Sequence, residues 1–187
     1  MFGFGKKKKS YFSCKVMMSR TGLNALLSAG VNSKDFLLIT FFASTRNELL
    51  QLCPGAEEQI ISAEQILNGA AVSFISSFLR LPRKQIVLAE RYPLSTRETQ
   101  VAEKLSAAGI AFPVPAFAAL DDTLLLKAGG EKIISLMQKM GMGEAEIIEH
   151  SMIESSIEKL QGKIEAAVPA ESKTRSPQEW FQLNVPG

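Results

Sequence analysis

The residues best placed to do chemistry follow the third predicted strand. Glu90-Arg91-Tyr92 comes directly after the apolar run 85–89, and open α/β sheets bind ligands in the crevice beyond the carboxyl ends of their strands. A carboxylate beside a guanidinium at this place could hold a polar small molecule. Neighbouring opposite charges also form ordinary surface ion pairs, and on pattern alone we prefer that interpretation.

Three further groups of polar residues support weaker hypotheses. The segment 43–46 (Ala-Ser-Thr-Arg) follows the first strong strand and could hold an anion at a helix N-terminus, but we prefer an ordinary helix cap. Asp121-Asp122 could form an acid–base pair, although carboxylates at the start of a helix also complement its dipole. His150 falls in a predicted amphipathic helix with no nucleophile nearby, so we interpret it as structural.

The sequence lacks the motifs of common nucleotide-binding and hydrolytic sites. It contains no P-loop, no glycine-rich dinucleotide fingerprint and no Gly-x-Ser-x-Gly elbow. Cys14, Cys53 and His150 do not have the spacing of metal ligands. We therefore predict no cofactor, no metal site and no catalytic residue.

The apolar pattern predicts an α/β fold. Continuous apolar runs at 36–42 and 85–89, with a weaker one at 59–61, indicate strands covered on both faces. Helical spacing predicts helices at 16–29, 95–108 and 144–167, the second beginning at a Ser95–Glu98 capping box. Residues 70–81 fit a helix slightly better than a strand. Pro113 and Pro115 would confine any strand at 110–119 to a sheet edge.

Length and charge bound the domain organisation. The chain has 187 residues, 46% of them apolar, and a net charge of +2, which suits one α/β domain and gives no basic field for nucleic acid. We predict a basic flexible arm at 1–12, the α/β domain at 13–128, a helical extension at 129–168 and a flexible tail at 169–187. No long apolar span or signal-peptide core is visible, so we expect a cytoplasmic protein. The arm could touch an anionic membrane weakly or serve as a solubilising tail, through Lys6, Lys7, Lys8 and Lys9.

Several motifs in the second half of the chain resemble SecA, the ATPase motor of bacterial protein export. They are Asp121-Asp122-Thr123-Leu124-Leu125, Lys127-Ala128-Gly129-Gly130, Lys139-Met140-Gly141-Met142, Ile148-Glu149-His150-Ser151 and Gln161-Gly162-Lys163-Ile164-Glu165. In that family the pattern ends the second RecA-like nucleotide-binding domain and enters the long scaffold helix. The resemblance implies a RecA-like, mostly parallel sheet flanked by helices, with a C-terminal helical extension. It also implies structural roles for Asp121, Asp122, Gly130, Gly141, Met142, Glu149 and His150.

A looser resemblance to SecA extends upstream. Glu90-Arg91 resembles the family's T-E-R-H strand end, and Gln100 and Gly109 match the ends of its Q-L-R-G-R-A-G-R-Q-G motif. The arginines of that motif reach ATP bound by the partner RecA domain; here they are replaced by Ala102, Lys104 and Ala107. An arginine finger contributes about 10³–10⁵ in rate, and lysine lacks its planar fork. The resemblance thus implies only a vestigial nucleotide site and argues against ATP hydrolysis. The residues of that site would be Glu90, Arg91, Gln100 and Lys104.

Three functions follow as expectations. The first is a non-catalytic SecA-like domain that binds a protein partner, with a link to protein export implied by the resemblance. The second is the accessory half of a composite ATPase site completed by a separate P-loop protein, to which Arg91, Arg97 and Lys104 would contribute cations. The third is a small-molecule or nucleotide-binding α/β protein that uses the strand ends near 43–44 and 90–91. The partner and the oligomeric state stay open.

Overall fold

The computed structural model describes residues 11–185, in which strands and helices alternate before helices alone follow. The four lysines of the predicted arm lie outside the described residues. The strands are β1 (Phe12–Met17), β2 (Phe36–Thr40), β3 (Ile60–Ser62), β4 (Gln85–Leu88) and β5 (Val114–Ala119). The helices are α1 (Arg20–Asn32), α2 (Ala43–Leu52), α3 (Ala63–Leu67), α4 (Val72–Phe78), α5 (Ser95–Ala107), α6 (Thr123–Lys127), α7 (Gly130–Lys139), α8 (Ser151–Ala167) and α9 (Pro177–Asn184).

The strands form one parallel sheet in the order β1-β5-β4-β2-β3. The longest ladder joins β1 to β5, from the pair Phe12↔Val114 to the pair Met17↔Ala119. Helices flank this sheet, so the predicted α/β class is confirmed, and the arrangement is consistent with a RecA-like fold. Because the strands are parallel, all their carboxyl ends meet at one edge.

The sheet buries apolar side chains on both faces. Leu37 and Ile39 of β2 pack into a cluster with α3, α4 and α5, whereas Leu38 between them packs into a second cluster with α1 and α2. Successive side chains of a strand point to opposite faces, and none of these three is exposed. A strand covered on both faces was predicted here, and that prediction is confirmed.

A third apolar cluster joins the C-terminal helices to the carboxyl edge of the sheet. It combines Val16 of β1 and Tyr92 after β4 with Ile157 and Ile164 of α8 and Trp180 of α9. The predicted helical extension therefore shares a core with the sheet.

The predicted flexible tail is wrong for the residues of α9. The Ser176 hydroxyl accepts a hydrogen bond from the Glu179 amide at 3.2 Å, and Pro177 occupies the first turn, where its missing N–H has no cost. Trp180 is completely buried. Burial of its aromatic side chains against residues distant in the sequence holds this helix in place. Local periodicity in the sequence does not reveal such contacts.

One helix prediction and one strand prediction are also corrected. The predicted helix at 16–29 begins only at Arg20, after the cap residue Ser19, and the preceding residues form β1. β5 lies inside the sheet and not at an edge. The Val114 amide donates to the Tyr11 carbonyl at 3.0 Å, so Pro115 faces the opposite neighbour, β4. Pairing with β4 is registered only at the next residue, Ala116, so the ladder on that side begins after Pro115.

Three helix predictions have different outcomes. Residues 72–78 form α4, which confirms the preference for a helix in that region. α8 begins at Ser151 and not at 144, because His150 is its cap residue. α5 has no capping box, because its cap residue Leu94 makes no side-chain hydrogen bond. The Glu98 carboxylate instead accepts hydrogen bonds from Arg91.

Candidate functional site

The carboxyl edge of the sheet gathers four polar residues from distant parts of the sequence. Glu90 and Arg91 follow β4, Arg20 begins α1 after β1, and Asp122 follows β5. The side chains of these residues are engaged in three separate arrangements, described in turn.

Glu90 is buried and receives hydrogen bonds from the start of α2. One carboxylate oxygen accepts from the amides of Phe41 and Phe42 at 2.8 and 2.9 Å, and the other accepts from the Thr45 hydroxyl at 2.6 Å. Burial raises the pKa of Glu90, and the bonds from Thr45 and Phe42 oppose that rise. Segment 43–46 is thus not the ordinary cap we preferred: the cap residue is Phe42, and Thr45 serves to hold Glu90.

Arg20 forms a two-pronged ion pair with Asp122. Its Nε and Nη2 donate to the two carboxylate oxygens of Asp122 at 2.8 and 2.5 Å, and its Nη1 donates to the Ala89 carbonyl at 3.1 Å. Asp121 accepts from the Arg20 amide at 2.7 Å, and burial raises the pKa of Asp121 although that bond opposes the rise. Asp122 is the cap residue of α6 but makes no side-chain cap bond. The carboxylates anchor Arg20 instead of capping a helix, and sequence reasoning missed Arg20.

Arg91 and Glu98 form a second two-pronged pair, inside the protein. Arg91 Nε and Nη2 each donate at 2.8 Å to an oxygen of Glu98, which also accepts from the Tyr92 amide at 2.8 Å. The side chains are only 7% and 4% exposed, so the preferred interpretation of a surface ion pair is wrong for Arg91. Burial opposes the charge of Arg91, but the attraction of Glu98 outweighs it and raises the pKa of Arg91.

The other two residues of the predicted vestigial site lie apart from this edge. Gln100 is exposed on α5, where its Oε1 accepts from Arg97 Nη1 at 3.2 Å. Lys104 is exposed near the end of the same helix. The structure therefore brings Glu90 and Arg91 to the strand ends, each with its own partners, and leaves Gln100 and Lys104 outside.

A cavity of about 330 Å³ opens beside these pairs, between the start of α2, α3 and α5. We call it the strand-end cavity. Its charged lining residues are the cations Arg46, Arg97 and Lys173 and the carboxylates Glu64 and Glu171.

The segment 171–175, here called the C-terminal strap, closes one side of the strand-end cavity. The Arg175 carbonyl accepts from the Ser44 amide at the first turn of α2 at 2.9 Å. Glu171 accepts from the Tyr92 hydroxyl, and from Trp180 Nε1 at 2.7 Å. The strap thus supplies an acceptor at a helix N-terminus, a position that favours anions. Nothing in the sequence pattern indicated this segment.

The remaining residues singled out by the SecA resemblance have local structural surroundings. A Cβ at Gly130 would lie 2.2 Å from the Leu120 carbonyl, and Gly141 has φ of +76°, so both positions favour glycine. Met142 packs against the C-terminal apolar cluster. Glu149 pairs with Lys15. His150 Nδ1 accepts from the Met152 amide at 3.2 Å, which makes it the cap of α8 and not a residue inside that helix.

Residues 11–185 contain neither a cluster of metal-ligating side chains nor a membrane-spanning helix. No cluster of three or more histidine, cysteine or carboxylate side chains is arranged to hold a metal ion in the described residues. No helix among them is long and apolar enough to cross a membrane.

These features define an α/β protein with a parallel sheet whose strand-end arginines are internally paired. No protein-family profile matches the chain. A segment of 49 residues, 26% of the chain, is 49% identical to the protein translocase subunit SecA of Chlorobium phaeobacteroides (strain DSM 266). A segment of the same length is 47% identical to SecA of Christiangramia forsetii. SecA of Psychrobacter cryohalolentis is 42% identical over 50 residues, 27% of the chain.

The chain therefore contains a SecA-related region. The matched segment spans only 4–5% of the length of these SecA proteins.

Proposed function

We propose that this chain is a non-catalytic SecA-like domain that binds a protein partner and acts in protein export. The SecA-related region supports the link to export. The observation that carries the binding role is a stretch of exposed apolar side chains in and after α7. Leu136, Met140, Ile147 and Met152 are 54, 66, 43 and 72% exposed.

The apolar stripe of α7 is only partly covered by the rest of the fold, which supports a protein partner. Ile133, Ile134 and Met137 pack against the C-terminal apolar cluster, whereas Leu136 and Met140 of the same helix region stay exposed. Exposed apolar side chains grouped in one region are typical of surfaces that bind another protein.

The pairing of the strand-end arginines supports the absence of catalysis. A phosphoryl group needs unpaired cations to neutralise its developing charge. Arg20 and Arg91 already donate to both oxygens of Asp122 and Glu98, and the C-terminal strap covers the N-terminus of α2. A phosphate at Arg20, at Arg91 or at the N-terminus of α2 would have to displace a carboxylate or the strap.

The binding role can be tested by affinity capture from the native cell with mass-spectrometric identification. We expect the wild type to capture a partner of the export machinery that the double variant Leu136→Glu/Met140→Glu loses. Leu52→Glu/Leu81→Glu is the matched control, because Leu52 and Leu81 are 49 and 55% exposed elsewhere on the surface. Equal capture by both double variants would exclude α7 as the binding face.

The absence of catalysis needs a separate assay on the purified chain. We expect no ATP hydrolysis above the level of the Lys104→Ala variant with Mg²⁺ present. Hydrolysis well above background that Lys104→Ala abolishes would contradict the proposal.

A second candidate function, nucleotide or small-anion binding, is favoured by the strand-end cavity. Its volume is about 330 Å³ and its lining includes Arg46, Arg97 and Lys173, which suits a small anionic ligand. Of the three cations expected to serve a composite site, Arg97 lines this cavity; its side chain is 28% exposed and lies 3.7 Å from Glu64. An increase in melting temperature with ATP that Arg46→Ala/Arg97→Ala abolishes would favour this candidate.

A further inference from the structure

A second large cleft lies between α5 and α8, apart from the strand-end cavity. Its volume is about 480 Å³, and its walls carry residues of α5, residues of α8 and the aromatic side chains of Tyr11 and Phe12. We call it the α5–α8 cleft.

The charge of the α5–α8 cleft is strongly negative. Its carboxylates are Glu98, Glu154, Glu158 and Glu165, whereas its one basic residue is Arg91. Glu98 is neutralised by Arg91, and Glu165 accepts from the Ser95 hydroxyl at 3.1 Å and from the Thr96 amide at 2.6 Å. This leaves Glu154 and Glu158, for which residues 11–185 provide no ion-pair partner within 4.0 Å.

Gln161 supplies an independent sign that the cleft takes a ligand. It lines the cleft and is only 1% exposed. Its Nε2 donates to the Tyr92 carbonyl at 2.7 Å, which fixes the orientation of the amide. Its Oε1 is buried and accepts no hydrogen bond within the part of the chain that the structure describes. Native proteins rarely leave such an acceptor without a donor from water or a ligand.

The spacing of these groups aligns the acceptors. Glu154, Glu158 and Gln161 follow each other at intervals of four and three residues on α8, so they share one face of the helix. Carboxylate and amide oxygens only accept hydrogen bonds, so a cation with several N–H donors complements both their charge and their hydrogen-bonding capacity. Tyr11 and Phe12 add apolar surface on which the methylene stem of a long basic side chain can lie.

We propose that the α5–α8 cleft binds a lysine or arginine side chain from a basic segment of a partner polypeptide. The ammonium or guanidinium group donates to Glu154, Glu158 and the orphan Oε1 of Gln161, while its stem packs against the aromatic wall. This site is separate from the exposed apolar side chains of α7, so either proposal can be refuted without refuting the other.

The test measures binding of a fluorescein-labelled hexalysine peptide by fluorescence anisotropy. Every protein sample in this assay carries the substitutions Lys6→Ser, Lys7→Ser, Lys8→Ser and Lys9→Ser, so that these lysines cannot compete with the peptide for the cleft. We expect Glu154→Gln/Glu158→Gln to weaken binding about five- to tenfold and added salt to weaken the wild type. Glu103→Gln/Glu131→Gln is the control with the same change of charge, because both residues are exposed and lie outside the cleft. It should bind within about twofold of the wild type.

Nuclear magnetic resonance gives a second readout that needs no cleft variant. We expect the side-chain amide signals of Gln161 to shift on addition of unlabelled hexalysine, together with backbone signals of α8. Absence of binding, equal loss in both double variants, an unmoved Gln161 signal, or equal binding of free spermidine would each overturn the proposal.

Discussion

Trp180 Nε1 donates a hydrogen bond to the carboxylate of Glu171 at 2.7 Å, and the Tyr92 hydroxyl donates to the same oxygen. The Trp180 ring also meets the ring of Tyr92 edge to face, with 6.1 Å between centroids. This contact connects the C-terminal helix to the end of β4 through both a polar and an aromatic interaction. Residues 171–185 therefore belong to the folded structure.

Trp180→Ala should destabilise the protein strongly. Trp180 is completely buried, and removing a buried aromatic side chain lowers the free energy of unfolding by about 3–5 kcal/mol. Urea unfolding followed by circular dichroism measures the change. Leu183→Ala is the control, because Leu183 lies on the same helix and is 62% exposed. Similar stability of Trp180→Ala and wild type would show that α9 is not part of the core.

Arg91→Met should lower the free energy of unfolding by about 3–5 kcal/mol, because it leaves the Glu98 charge buried and without its cation. Adding Glu98→Gln in the same chain should recover much of that loss, since the amide is neutral and its oxygen still accepts from the Tyr92 amide. A double-mutant cycle by urea unfolding measures the coupling. Additive losses from the two substitutions would contradict a directly coupled pair.

Glu90 should make stability fall as pH rises. Burial raises the pKa of Glu90 in the folded state, so above the unfolded value of about 4.3 the folded chain holds a proton that the unfolded chain has lost. The associated stability is complete below that value and is lost as the pH rises through the folded pKa. Relative to Glu90→Gln, the wild type should therefore lose stability across this window in urea unfolding at successive pH values. A relative gain would mean that the bonds from Thr45 and Phe42 dominate.

Cys14 should react slowly with iodoacetamide at neutral pH. Burial raises the pKa of the Cys14 thiol, while Arg91 opposes the rise, and only the thiolate reacts. The reaction rate of Cys14 should rise with pH, and its rise should occur at a higher pH than the corresponding rise for N-acetylcysteine. The measurement uses the Cys53→Ala variant, so that Cys14 is the one reacting thiol. A pH profile displaced below that of N-acetylcysteine would show that the Arg91 charge outweighs burial.

The centre of the fold was predictable because its signal is local. β2 and β4 are continuous apolar runs, and a strand buried on both faces needs such a run. β1 gave no such signal, since Ser13 and Lys15 interrupt its apolar residues. β5 was misplaced because a proline removes a donor on one side of a strand only: β5 pairs with β1 along its whole length, and its ladder to β4 begins after Pro115.

The candidate site was less predictable because its partners are far apart in sequence. Glu90 and Arg91 were identified from their place after a strand, but pattern alone could not show that Arg91 turns to Glu98. The Arg20–Asp122 contact joins residues 102 positions apart, and Tyr92 meets Glu171 across 79 positions. Such contacts depend on the order of strands in the sheet, which a single sequence does not specify.

The long ladder between β1 and β5 has a consequence for synthesis at the ribosome. Phe12 must wait for Val114 before it can pair, a delay of about 5–20 s at ordinary rates of translation. During that interval the apolar side chains of the nascent strand have no sheet to join. We therefore expect chaperones that shield this strand until its neighbour emerges to raise the yield of correctly assembled protein.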